Sequence, residues 1–106
     1  MAPSRESTYE AVMANARETV FILALRQGVA VARLDVTFDT ERGPGPHEYH
    51  TLTISVRDSD VKVHADRVEH EWLPVSTGFA DSRFSNMVTG MLSTLVDKAM
   101  KAGRFI

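Results

Sequence analysis

Four histidines, His47, His50, His64 and His70, are the side chains of this sequence best suited to bind a metal or move a proton near neutral pH. His47 and His50 lie three apart at the head of an alternating apolar–polar run. In a strand that spacing puts them on opposite faces, so a shared ligand set needs irregular backbone. His64 and His70 lie six apart, with Glu69 and Glu71 flanking the second. They share a face only if the strand carrying them is regular, and zinc requires its ligands to converge on one point. Solvated strand histidines are the simpler reading, so no metal ligand is assigned. Val68-Glu69-His70-Glu71-Trp72 also offers a carboxylate–imidazole pair for acid–base work, but no nucleophile or oxyanion hole is marked beside it. No Gly-x-Ser-x-Gly elbow, phosphate loop or dinucleotide glycine pattern occurs. The absence of cysteine excludes disulfides, thiol catalysis and Cys-ligated zinc. No catalytic residue and no cofactor are expected; a small metal-dependent or acid–base enzyme is the remaining catalytic alternative.

The elements that hold these residues follow from periodicity. Ser7-Thr8-Tyr9-Glu10 matches a capping box, with a start nearer Ser4 as the alternative. Tyr9, Val12, Met13, Ala16, Val20, Leu23 and Ala24 then recur at helical spacing, widened by Phe21, Ile22 and Leu25. Gly28 is the natural C-terminal stop, giving a helix over 8–27. From Ala30 the period becomes two: Ala30, Ala32, Leu34, Val36 and Phe38 alternate with mostly polar residues. Thr40 to Pro46, with Gly43-Pro44-Gly45-Pro46, is expected to be a mobile loop, and residues 1–6 a flexible start. A second strand runs from His47 to Arg57, with Leu52, Ile54 and Val56 on one face. After the turn Asp58-Ser59-Asp60, a third strand faces Val61, Val63 and Ala65 inward, then changes parity to Val68, His70 and Trp72. A β-bulge near Asp66-Arg67 explains the change; a fourth short strand is the alternative. Asp81 or Ser82 caps a second helix striped by Phe84, Met87, Val88, Met91, Leu92, Leu95, Val96, Ala99 and Met100, and Gly103 ends it.

Short links between strands force antiparallel pairing. The expected fold is α+β: a two-layer sandwich in the order α-β-β-β-α, a three-stranded antiparallel meander with both helices on one face. Leu34, Val36, Leu52, Ile54, Val61, Val63, Leu92 and Leu95 should form the centre. The other face, with Arg33, Asp35, Thr37, Thr51, Thr53, Ser55, Lys62 and His64, has no covering element. It is polar enough to meet water and flat enough to meet a second copy. Trp72, Leu73, Pro74, Val75 and Phe79 gather at the sheet-to-helix link, where they either close the core or present a contact patch. The candidate interaction surface is therefore Trp72, Leu73, Val75 and Phe79 together with Thr37, Thr51, Thr53 and His64. Met87, Met91 and Met100 read as core, with an adaptable binding groove as the alternative.

A chain of 106 residues fits one domain. Its formal charge of −2 gives no electrostatic reason to expect nucleic acid or an anionic membrane. No basic segment precedes an apolar one at the N-terminus, and no apolar run approaches the roughly 20 residues of a membrane span. A cytoplasmic location is the expectation.

The helix–strand–strand–strand–helix order, with Gly45-Pro46-His47 just before the second strand, resembles the double-stranded-RNA-binding domain and its Gly-Pro-x-His hairpin loop. That resemblance implies an RNA-binding surface. The family grips phosphates with a lysine cluster opening its second helix, and here that place reads Ala80-Asp81-Ser82-Arg83-Phe84. The chain also looks like small proteins of β-proteobacterial genomes, which carries no function. The leading expectation is a non-catalytic interaction module, either a homodimer through strand 1 or the open sheet face, or a monomer with an unknown protein partner. RNA binding is the alternative.

Overall fold

A computed structural model of the protein describes residues 5–42, 48–73, 82–104 and 106. Helix α1 spans Arg5–Arg26, followed by a 3₁₀ turn at Val31–Arg33, strands β1 (Leu34–Arg42), β2 (Glu48–Val56) and β3 (Lys62–Glu69), a second 3₁₀ turn at His70–Trp72, and helix α2 (Ser82–Lys101). The sheet is an antiparallel meander in the order β1-β2-β3. This is the α+β architecture expected, with both helices contributing to one core against the apolar face of the sheet.

Both helices end in the same way. Gly28 has φ +76°, Val29 N–H donates to the Ala24 carbonyl and Gly28 N–H to that of Leu25. Gly103 has φ +75°, with Arg104 N–H on the Ala99 carbonyl and Gly103 N–H on that of Met100. These are Schellman closures, which need a left-handed residue that glycine adopts without a Cβ penalty.

The core joins Ala16, Val20 and Ala24 of α1 to Leu34, Val36, Leu52, Ile54, Val56, Val63 and Val68 of the sheet and to Phe84, Val88, Met91, Leu92 and Leu95 of α2. Val61, expected at its centre, is only half-buried at its edge. Two residues expected in the helical stripes turn outward: Leu25 is 60% exposed and Met100 57%.

Several boundaries move. Arg5 and Glu6 belong to α1, which starts ahead of the expected cap at Ser7; residues 1–4 lie outside the described residues. Ala30 and Ala32 are exposed, the first just before a 3₁₀ turn and the second within it, rather than in the strand, because alanine has little side chain to pack on a pleated surface. The strand instead continues through Thr40, Glu41 and Arg42, which pair with His50, Tyr49 and Glu48. None of these three residues breaks a ladder, so residues 40–42, expected in the mobile loop, are strand; the rest of that expected loop, 43–46, lies outside the described residues.

The parity change in β3 is a bulge. Leu52 pairs with Ala65 and His50 with Val68, so Thr51 alone spans Asp66 and Arg67. Arg67 sits at φ +56°, the left-handed backbone that absorbs the extra residue. The chain does not split into a fourth strand: β3 runs unbroken from Lys62 to Glu69. After Glu69 the ladder gives way to the turn His70–Trp72.

Candidate functional site

The inner face of the sheet changes character beyond Leu52. Along β2, residues of even number face inward: Val56, Ile54 and Leu52 are buried in the apolar core, and the next in the row are His50 and Glu48. The bulge supplies the other half. Were the chain to alternate regularly from Ala65 onward, His70 would fall on the outer face; with the bulge, Val68 turns inward opposite His50 and His70 follows on the same side.

The result is a polar cluster at the end of the core. His50 is 1% exposed. Its Nε2 lies 2.9 Å from His70 Nδ1, and its Nδ1 lies 3.2 Å from Thr40 Oγ1. The two rings are tilted by 44° with centroids 5.1 Å apart, and Phe38 meets His50 edge-on at 6.5 Å. Glu48 and His70 are half-buried. One potential ligand atom from each of Glu48, His50 and His70 falls within 4.8 Å of the other two. Burial holds the His50 pKa below its ordinary value, the charge of His70 adds to that, and Glu48 opposes it. Chemically, the arrangement can pass a hydrogen bond between two imidazoles or close on a cation. The pairs weighed from spacing, His47 with His50 and His64 with His70, are not the pair formed: His47 lies outside the described residues, and His64 is on the opposite face, 62% exposed, 4.0 Å from Asp66. The signal for the true pair was present in two separate observations, the inward parity of His50 and the bulge that turns His70 inward.

The outer face carries transverse rows set by the ladder: Asp35–Ser55–Lys62, Thr37–Thr53–His64, and Asp39–Thr51 beside the bulge. Thr37 and His64 are exposed and Thr51 and Thr53 half-buried, so these four expected contact residues do share a surface. Arg57 Nε donates to Asp35 Oδ1 at 2.9 Å, and Thr51 Oγ1 to Asp66 Oδ1 at 3.2 Å. The apolar patch expected at the sheet-to-helix link divides. Leu73 is 4% exposed and belongs to the core; it offers nothing to a partner. Trp72 is half-buried, with the Arg83 guanidinium 5.3 Å above its ring. Val75 and Phe79 lie outside the described residues. Between β3 and α2 a shallow groove of 270 Å³ is lined by Val63, His64, Gly90, Met91, Thr94 and Lys98.

Within the described sheet, the two outer edges differ. β3 carries the bulge, and Lys98 Nζ donates to the Lys62 carbonyl at 3.3 Å, so its edge is kinked and partly satisfied. β1 runs nine residues in continuous register with β2, without proline or lysine. Among the described residues, no helix is long and apolar enough to cross a membrane. No known protein family, curated protein or solved structure matches the chain.

Proposed function

We propose that this protein is a non-catalytic interaction module that pairs with a second copy of itself along β1. The observation that carries this reading is the contrast between the edges. Sheet proteins blunt exposed edges with bulges, lysines, prolines or short strands, and β3 is treated that way while β1 is not.

The ladder specifies how two copies would meet. Arg57 N–H donates to the Arg33 carbonyl, so odd-numbered residues of β1 bond to β2 and the even ones, Leu34 to Arg42, aim their backbone groups outward. A two-fold pairing therefore sets even residues opposite even ones, and centred on Asp35, Thr37 or Asp39 it places Asp35 opposite itself, Asp35 opposite Asp39 or Asp39 opposite itself, each a like-charge conflict. Centred on Phe38 or Thr40, it sets Glu41 opposite Asp35 or Asp39, a like-charge conflict. Centred on Val36, it sets Leu34 opposite Phe38 on the inner face and Arg33 opposite Asp39 on the outer face. That register brings unlike charges together twice per dimer. Helix α1, which packs over β1 with α2 at its other flank, leaves Phe21 and Ile22 half-buried and Leu25 exposed. Joining two β1 strands about 4.8 Å apart would bring the two α1 helices side by side, which supports the same arrangement.

Sedimentation at high micromolar concentration tests it: the expected species is twice 11.8 kDa. Asp39→Arg and Arg33→Asp, both at exposed positions, should each weaken the dimer by about 10-fold, and the double exchange should restore it. Thr53→Lys should leave it unchanged, whereas a face-to-face dimer would be weakened. A single 11.8 kDa species throughout refutes self-association.

The RNA-binding reading rests on the order of elements. The first turn of α2 offers one guanidinium, Arg83, and it lies over Trp72. Double-stranded RNA should bind no tighter than about 10⁻⁴ M at physiological salt; a micromolar complex with a steep salt slope would favour that reading instead.

A further inference from the structure

We propose that Glu48, His50 and His70 form a binding site for one divalent transition-metal ion of the zinc class. The site is argued separately from self-association: its three ligands lie on β2 and on the turn after β3, while Thr40 and Phe38 behind them belong to β1.

Three separate features of the chain converge to make it. Glu48 and His50 are two apart on one strand, so they share a face. The bulge at Asp66–Arg67 turns His70 onto that same face. The 3₁₀ turn at His70–Trp72 ends the ladder where a straight strand would carry the imidazole past its neighbour. A core that needed only to be closed at this end would be served by an apolar residue at position 50. The chain instead places a buried imidazole there and aims a second at it.

The distances fit a metal ion. With bonds of about 2.0–2.1 Å, nitrogens 2.9 Å apart subtend about 90° at the metal, and a tetrahedral angle needs them to part by about 0.4 Å. Such an adjustment is small for His70, which is half-buried on a short turn. The Glu48 carboxylate can supply the third donor within 4.8 Å. Three protein donors leave at least one position for water.

Thr40 supplies what a metal-bound histidine needs behind it. A ligating imidazole donates its other ring N–H to an acceptor, which fixes the tautomer and the ring plane. Thr40 Oγ1 is 3.2 Å from His50 Nδ1, so a proton on Nδ1 leaves Nε2 with its lone pair toward His70 and the metal. In the metal-free pair, one of the two facing nitrogens carries a hydrogen. On metal binding that hydrogen moves to the other nitrogen of its own ring; both imidazoles stay neutral and no proton is lost.

The donor set selects the class of ion. Two imidazoles and one carboxylate suit zinc, cobalt, nickel, copper or iron, whereas magnesium and calcium prefer oxygen ligands throughout. Phe38 and Val68 give the site an apolar wall, and the half-buried Glu48 and His70 leave it an approach from solvent. The other imidazole–carboxylate pair, His64 with Asp66, is exposed on the outer face and provides an internal control.

The test uses the whole chain after chelator treatment, titrated with Zn²⁺ and Co²⁺. Native mass spectrometry should show one ion per chain. Trp72, the sole tryptophan, lies two residues from His70 on the same turn, so its emission should change with the same stoichiometry and Co²⁺ should quench it. His70→Ala should weaken Zn²⁺ binding by more than about 100-fold, Glu48→Gln and Thr40→Val by about 10-fold or more, and His64→Ala not at all. His70→Ala is the decisive variant, because it removes a half-buried side chain while His50 sits in the core; an unchanged circular dichroism spectrum certifies its fold. Nitrogen chemical shifts should move at His50 Nε2 and His70 Nδ1 on Zn²⁺ addition. The proposal is overturned if no Zn²⁺ is retained at micromolar free metal, if His70→Ala binds as the parent does, if His64→Ala abolishes binding, or if millimolar Mg²⁺ competes.

Discussion

The two ends of the sheet's inner face are built from the same three strands and do opposite things. At one end Leu34, Val36, Leu52, Ile54, Val56 and Val63 lie under the helices and contribute only apolar surface. At the other, Thr40, His50 and His70 form a hydrogen-bonded chain beside Glu48. The border falls between Leu52, paired with Ala65, and His50, paired with Val68, where β3 carries its extra residue. One backbone irregularity therefore separates core from cluster. A regular strand would have extended the pairing but put His70 on the solvent face.

The contrast is broken most directly by truncation. Leu52 is fully buried in the close-packed end, and Leu52→Ala should cost about 2–5 kcal/mol by urea denaturation. His50 is equally buried, yet His50→Leu in metal-free protein should change stability by no more than about 1 kcal/mol, because it exchanges a desolvated imidazole for apolar contacts and leaves a half-buried His70 that water can reach. Equal losses at the two positions would mean that the cluster supports the fold as strongly as the core does.

The apolar end was legible in the sequence because period-two and period-3.6 patterns report burial directly. Leu34, Val36, Leu52, Ile54, Val63, Leu92 and Leu95 all stand where alternation places them. The bulge was legible too, since Val63 and Val68 differ in parity and both must face inward. The His50–His70 pair was not read: the bulge placed His70 among the inward residues, but the inward parity of Leu52 was not carried back to His50. Spacing along the chain compares residues on one strand, while this contact crosses between strands and depends on register, which a bulge shifts by one. Leu25 and Leu73 show the same limit in apolar residues. Each sits in an apolar run, and whether it meets the core or solvent depends on where the neighbouring element ends.

Acid should distinguish the two ends as well. Burial holds His50 below the ordinary imidazole pKa of 6.5, with His70 adding to the effect. As pH falls through 6.5, the unfolded chain takes up a proton that native His50 declines, so the unfolded state gains. Stability is thus full above pH 6.5 and declines below it, until native His50 itself protonates. The slope contributed by one such group reaches at most about 1.4 kcal/mol per pH unit. Denaturation midpoints of chelator-treated protein between pH 7.5 and 5 should show this loss, and His50→Gln should flatten it. Glu48→Gln should steepen it, because Glu48 is the group that favours the protonated form. A profile that is the same in parent and His50→Gln would assign acid sensitivity elsewhere.

The smallest expected effect bears on the border itself. Among the described residues, Asp58 and Arg67 are the non-glycine residues with positive φ, at 58° and 56°. For an L residue that backbone costs about 1–2 kcal/mol, less for aspartate, whose short side chain can bond locally. Glycine removes the strain but returns some of it through a more disordered unfolded chain, about 0.5–1 kcal/mol. Arg67→Gly should therefore stabilise the protein by about 0.5–1 kcal/mol, and Asp58→Gly by less, as paired denaturation curves would read. Arg67→Val should go the other way, because a β-branched side chain tolerates left-handed backbone poorly. If the bulge alone brings His70 to His50, Arg67→Gly keeps the Zn²⁺ affinity of the parent while raising stability. Deleting residue 67 leaves Val68 opposite His50 and His70 on the inner face of a now regular ladder, so Zn²⁺ binding should survive it; a loss of binding would show that the twist of the bulge, and not parity alone, aims His70 at His50.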